Sequence, residues 1–295
     1  MIVRWTYVAV LVVLGVGWGS TQPLGKIAAS SGYPPFALIL WQLVICVLVL
    51  GAITLVRGKG LSLSRRALVF YVVIALVGTL VPNATFYISV ARLPAGIMSI
   101  IIAVVPMIAF PLALVLGFDR FDSRRLVGLM FGLAGVALIA LPKASLPDPA
   151  MAAFLPLALV GPACYAMEGT FVSRYGMAGM DPVQAMFGAS LVGLLLCLPV
   201  VLITGQWVDP MPPWGLPEAA LGLSSALHAL LYAGYVGLAA RAGAVFATQT
   251  AYIVTASGLC WAMVLLGERF SHWVWLAMVV MLVGIALVRP KLRTA

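Results

Sequence analysis

The chain has 295 residues, 64% of them hydrophobic and only 8% charged, with a formal net charge of +9. Soluble domains carry roughly a quarter charged residues, so this composition excludes a water-facing surface and makes lipid the solvent. The basic excess fits loop charges that orient helices, and no basic run interleaved with aromatics supports nucleic-acid binding.

A membrane span takes about 20 mainly apolar residues. The first lies near 5–29; Arg4 precedes it, but the stretch is too long for a signal peptide and no clean small-residue cleavage site follows. Spans near 36–56, 67–90, 95–117 and 124–141 come next, then 150–173, 182–204, 214–239, 244–266 and 271–288. The breaks between them are short, so neighbouring helices are mostly antiparallel. The longest, 205–213, holds Trp207, Asp209, Pro210, Pro212 and Pro213, with Trp214 beyond, and reads as a surface loop with aromatic anchors. Pro82, Pro106, Pro111 and Pro162 fall within or near helix middles and predict kinks. Gly15, Gly19, Gly128, Gly132 and Gly135 give small-residue faces for close packing. Cys46, Cys164, Cys197 and Cys260 fall singly in apolar stretches, so neither a metal site nor a disulfide framework is expected.

With the N-terminus inside, thirteen of the 17 Lys and Arg fall on inner segments: Arg4, Arg57, Lys59, Arg65, Arg66, Arg120, Arg124, Arg125, Arg174, Arg241, Arg289, Lys291 and Arg293. Arg92, Lys143 and Arg269 fall outside, and Lys26 near the outer end of the first helix. The positive-inside rule therefore places both termini in the cytoplasm and asks for an even number of spans.

The chain also repeats itself at an offset of about 149. Leu116-Gly117 with Asp119-Arg120-Phe121 matches Leu266-Gly267-Glu268-Arg269-Phe270, one residue being inserted. Gly135-Val136-Ala137-Leu138 lies over Gly284-Ile285-Ala286-Leu287, and Ala91-Arg92 over Ala240-Arg241. Chance alignment of apolar segments is the competing explanation, but charged and glycine positions recurring at one offset favour a repeat. The expectation is therefore an all-α integral membrane protein of ten transmembrane helices. They form two five-helix repeats, 1–145 and 146–295. An odd number of spans forces the second repeat to enter from the opposite face, the inverted topology of many secondary transporters.

The early Trp18-Gly19-Ser20 with Lys26, and the two Leu-Gly to Asp/Glu-Arg-Phe junctions each leading into a Gly-rich helix, resemble the EamA-type members of the drug/metabolite transporter superfamily over essentially the whole chain. The resemblance implies ten helices in two inverted halves and export of amino acids or related metabolites. It is nearest to bacterial aromatic amino-acid exporters of the cell inner membrane. The first junction departs from the pattern, reading Gly117-Phe118-Asp119.

Polar groups inside the spans are the candidate site. Asn83 and Tyr87, Tyr232 and Tyr235, and Gln249 and Tyr252, with Gln22 and Tyr165, supply hydrogen-bonding edges on apolar walls, suited to a neutral zwitterion. Each of these residues serves equally as an interhelical hydrogen bond. Glu168 and His228 are the candidates for coupling to a proton. Glu168, counted from residue 150, falls toward the cytoplasmic end of its helix, where an interfacial pairing with Arg174 is the favoured reading. Lys26 is expected to snorkel to the headgroups.

No cofactor, metal or nucleic acid is expected, and ten helices suffice for a path within one chain. Carriers of nucleotide sugars would want interior Lys and Arg, and carriers of cationic drugs a central acid; neither is evident. A lipid-modifying enzyme would rest on Asp119 and Asp122 alone, and Asp122 or Ser123 reads better as a helix cap.

Overall fold

The computed structural model describes residues 2–117, 123–140, 146–211, 213–242, 247 and 250–287, and every regular element among them is helical. The helices are α1 (Ile2–Ala29), α2 (Pro35–Val56), α3 (Arg65–Val73), α4 (Val81–Arg92), α5 (Ala95–Ile101), α6 (Val105–Val115) and α7 (Ser123–Ala140). After a 3-10 turn at Pro149–Phe154 come α8 (Leu155–Tyr175), α9 (Pro182–Ile203), α10 (Leu216–Ala242), α11 (Thr250–Leu266) and α12 (His272–Leu287). Local chemistry sets several ends. Pro35 opens α2, where a missing N–H costs nothing. The Ser64 hydroxyl caps α3 through the Ala67 amide, and Asp181 caps α9 through Val183 and Gln184. Gly176, at φ +67°, closes α8 in a conformation that glycine adopts without strain.

The prolines act in two ways. α3 and α4 are one continuous rod through a π-helical stretch, Ile74–Leu80. Pro82 follows it and cannot donate to the carbonyl of Gly78, which removes one rung of the helix ladder. α5 and α6 join through a 3-10 turn, Ile102–Val104, just ahead of Pro106. Pro111 and Pro162 instead lie inside uninterrupted α6 and α8.

Seven helices are long and apolar enough to cross a membrane, and three shorter apolar helices lie at 126–139, 250–266 and 272–284. Counted as rods, with α3–α4 and α5–α6 each taken as one, there are ten among the described residues. Their packing has a pattern. α1 lies against α10 and α11, and α8 lies against α4 and α6; α2 packs on α10, and α3 on α9. Exchanging each rod with the one five places along turns α1–α10, α1–α11 and α2–α10 into α8–α4, α8–α6 and α9–α3. The remaining main pairs, α2 with α9, α5 with α11 and α7 with α12, map onto themselves.

Where α1 meets α11 the approach needs glycine: a Cβ on Gly19 would fall 2.2 Å from the Ser257 hydroxyl and 2.9 Å from the Gly258 nitrogen. Ser257 Oγ and Trp261 Nε1 then donate to the carbonyls of Gly15 and Val16.

Two charged residues act differently from the sequence expectation or beyond it. Lys26 does not snorkel. Its ammonium turns inward and donates to the carbonyls of Val90 and Leu93 at the end of α4, because four carbonyls there lack helical partners. Glu268 reaches from the α11–α12 connection to the amides of Ala95 and Gly96 at the start of α5. The 205–211 stretch is tied down: Trp41 Nε1 donates to Val208, Gln206 accepts from Phe36, and Trp207 stands edge-on to Trp41 at 5.6 Å. Asp119, Asp122 and Lys143 lie outside the described residues.

Candidate functional site

Two polar groupings meet beside the π-helical stretch. In the first, Asn83 and Tyr87 on α4 share one acceptor, the side-chain carbonyl of Gln42 on α2, at 3.3 and 2.9 Å. One helical turn separates Asn83 from Tyr87, so both face α2. All three side chains are buried. Burial of an amide without partners is costly, and this triangle satisfies most of Gln42's carbonyl demand.

The second grouping centres on Glu168 of α8. It is 7% exposed and is the only charged residue among the fully buried, described residues. The Tyr232 hydroxyl of α10 donates to its carboxylate. Trp18 of α1 packs its ring 6.1 Å from that of Tyr232 and 5.3 Å from that of Tyr235, and His228 stands edge-on to Tyr232 at 5.3 Å. The pairing with Arg174 expected for Glu168 is therefore corrected: the carboxylate is buried inside the helix packing and takes Tyr232 instead. α8 starts at Leu155 behind the 3-10 turn, and Gly78 of the π-helical stretch and Tyr232 of α10 close over the carboxylate. Arg174, its expected partner, lies 5.7 Å above the Tyr175 ring near the helix end. The interior therefore does hold an acid, where none was expected to be evident.

Gly78 lets the π-helical stretch close on the second grouping. A Cβ there would meet the Tyr232 hydroxyl at 2.5 Å and the Glu168 carboxyl carbon at 3.1 Å. A narrow cleft follows, lined by Gln42, Cys46, Thr79, Ser190, His228 and Tyr232, with room for roughly one water molecule. A second narrow cleft brings Gln22 against Tyr165, Thr85, Phe86 and Met98. The Gln22 side-chain oxygen is buried without a hydrogen-bond partner, an acceptor left open on the wall of that cleft. Neither cleft admits an amino acid, so entry of one requires the helices to part.

Of the sequence candidates, Asn83 and Tyr87 form one group, and Glu168, Tyr232, Tyr235 and His228 the other. Tyr165 and Gln22 line the adjoining cleft. Tyr252 stands apart, half-buried against the main apolar core, and Gln249 lies outside the described residues. Gln42, Thr79 and Ser190 were missed as site residues. Gln42 was findable as the lone amide in the span 36–56. Trp18 was read as a family marker, and its place against Tyr232 and Tyr235 only the packing reveals. Among the described residues no three His, Cys, Asp or Glu side chains gather as metal ligands.

Apolar helices enclosing a polar interior are the make-up of a multi-pass membrane protein. The chain belongs to the EamA-like transporter family, whose model matches it twice, at residues 5–141 and 153–289. Members of this family are membrane transporters of small solutes, not enzymes. Twenty-four chains of solved structures match. One, titled as a crystal structure of a protein, aligns at a TM-score of 0.66 over 97% of each chain with 18% identity, a likeness of fold. No curated protein matches.

Proposed function

We propose that this protein is a secondary transporter that exports neutral amino acids, aromatic ones included, or closely related small metabolites by alternating access. The observation that carries this reading is the buried polar interior shared by both halves. Gln42, Asn83 and Tyr87 come from the first half, and Glu168, Tyr232 and Tyr235 from the second. Uncharged hydrogen-bonding groups on aromatic walls suit a compact amphiphile.

In this reading all ten rods cross the bilayer, in two inverted sets of five at 1–145 and 146–295, with both termini on the cytoplasmic side of the cell inner membrane. The exchange symmetry of the helix pairs supports it, since two nearly equivalent halves rock to open a central site to either face. A single chain is sufficient. Asn83, Tyr87, Tyr165, Tyr232, Tyr235, Gln249, Tyr252 and Gln22 are the proposed substrate contacts, and Glu168 and His228 the proposed coupling groups.

Reconstituted into liposomes, the protein is expected to move labelled phenylalanine, methionine or threonine faster than empty vesicles do. Failure to move any amino acid in such a panel overturns the assignment. Buried Glu168 favours carriers of amines as the second reading. Nucleotide sugars gain no support, because no Lys or Arg is fully buried among the described residues.

A further inference from the structure

A carboxylate inside a bilayer is expensive unless its charge is matched. Glu168 has Tyr232 as its hydrogen-bond partner, and no ion pair to it is found among the described residues. One phenolic hydroxyl is a neutral donor and leaves the negative charge uncompensated. Something mobile must supply the positive charge.

The surroundings limit what that can be. The titratable groups facing the carboxylate are Tyr232 and Tyr235 of α10, and Tyr165 and Cys164 of its own helix. His228 stands edge-on to the Tyr232 ring. The π-helical stretch offers Gly78, and α5 and α6 contain no charged residue. The one charged side chain of α4, Arg92, lies 6.0 Å above the Phe154 ring at the other end of that helix. No grouping of ligands would hold a metal ion among the described residues. One carboxylate held by Tyr232 beside Tyr235, with Trp18 packed on both rings, instead has the chemistry that takes an organic ammonium: a charge-assisted hydrogen bond to the oxygen, with aromatic rings close by.

We propose that the Glu168 carboxylate is a shared site for a proton and for the ammonium group of the substrate, so that each displaces the other and the protein exchanges them one for one. The inference rests on the transport reading and deepens it: the substrate is a primary amine with an apolar or aromatic body. No covalent step is involved. Arrival of the ammonium releases the carboxyl proton to water, and departure of the ammonium lets a proton return. Tyr232 holds one carboxylate oxygen in either state and positions the other.

The test uses the purified full chain in weakly buffered detergent solution and in proteoliposomes, with phenylethylamine, phenylalanine and N-acetylphenylalanine as probes. Adding phenylethylamine or phenylalanine to the wild type releases about one proton per molecule bound; N-acetylphenylalanine, which has no ammonium, releases none. In vesicles an imposed proton gradient drives phenylalanine accumulation. Glu168→Gln abolishes proton release and gradient-driven accumulation and weakens phenylethylamine binding about tenfold or more. Glu168→Asp, which keeps the carboxylate, retains both responses in reduced form and so separates loss of the charge from loss of the fold. A well-folded Glu168→Gln protein that still releases protons and accumulates substrate overturns the proposal, as does tight binding of N-acetylphenylalanine. If the wild type moves no amino acid yet phenylethylamine releases a proton that depends on Glu168, the site assignment stands and the amino-acid reading falls.

Discussion

The ammonium of Lys26 lies 2.7 Å from the carbonyl oxygen of Leu93 and 2.9 Å from that of Val90, so a side chain of α1 closes the C-terminus of α4. Those carbonyls would otherwise lie among apolar helices with few partners. Lys26→Met keeps the apolar stem and removes the donor. The orphaned carbonyls cost about 1–3 kcal/mol, which lowers the thermal unfolding midpoint in detergent by a few degrees. Lys26→Arg, which can reach the same oxygens, should recover most of the loss. An unchanged midpoint for Lys26→Met would mean that the carbonyls find other donors.

Glu268 performs the opposite task at the adjoining helix start. Its two oxygens accept from the amides of Ala95 at 2.8 Å and Gly96 at 3.0 Å. A negative side chain at a helix N-terminus gains both hydrogen bonds and the dipole. Glu268→Ala is expected to cost about 0.5–2 kcal/mol. Glu268→Gln, losing the charge but keeping one acceptor, should cost less. Arg269→Ala, at the exposed next position, serves as the control and should stay within about 0.5 kcal/mol. The ranking Ala worse than Gln worse than control is what thermal scans of the three variants should return.

Much of the fold was legible because lipid imposes a simple rule: an apolar run long enough to cross, then a break with Gly, Pro or charge. The family match at 5–141 and 153–289 falls on the repeat that the Gly-Glu-Arg-Phe and Gly-Ile-Ala-Leu correspondences marked. Partner choice was not legible. Glu168 lies toward the C-terminal part of α8 as expected, but its partner is Tyr232 and not Arg174. Its depth does not tell which face of α8 meets α10. Lys26 and Glu268 bind backbone groups 64 to 173 residues away in sequence. No local pattern encodes such contacts, because any helix end offers the same carbonyls and amides. Gln42 stood out by composition, but only the packing of α2 against α4 links it to Asn83 and Tyr87.

On the face where α2 ends and α9 begins, Asp181 takes Lys59 at 2.6 Å and Arg57 at 3.1 Å. Burial works against its charge, but the Lys59 ammonium, the Gln184 amide and the Arg57 guanidinium outweigh it and hold the carboxyl below its ordinary value. A carboxyl depressed in the folded state stabilises the protein fully above its unfolded pKa of about 3.9. That contribution fades as pH falls from there through the folded value. With the two cations 41% and 43% exposed, each pair is worth only about 0–1 kcal/mol. Asp181→Asn keeps a competent helix cap while losing the pairs. Its thermal midpoint should therefore lie slightly below the wild type at pH 7, and the gap should narrow as the pH falls below about 4. A gap that does not narrow at all with acidification would point to the cap and not to the ion pairs.

The contact of Gly78 with Tyr232 and Glu168 lends itself to a double-mutant cycle. Gly78→Ala puts a methyl group within 2.5 Å of the Tyr232 hydroxyl, and overpacking of this kind costs about 1–3 kcal/mol. Removing that oxygen through Tyr232→Phe relieves the clash with the hydroxyl, although the Glu168 carboxyl carbon at 3.1 Å keeps some of it. The penalty of Gly78→Ala should therefore be clearly smaller in the Tyr232→Phe background than in the wild type. The difference between those two penalties is the coupling energy between the π-helical stretch and the α10 tyrosine. Additive midpoint shifts across the four proteins would mean that the stretch yields without pressing on Tyr232. A large coupling would mean that Gly78 is glycine because α3–α4 and α10 must close directly over the carboxylate.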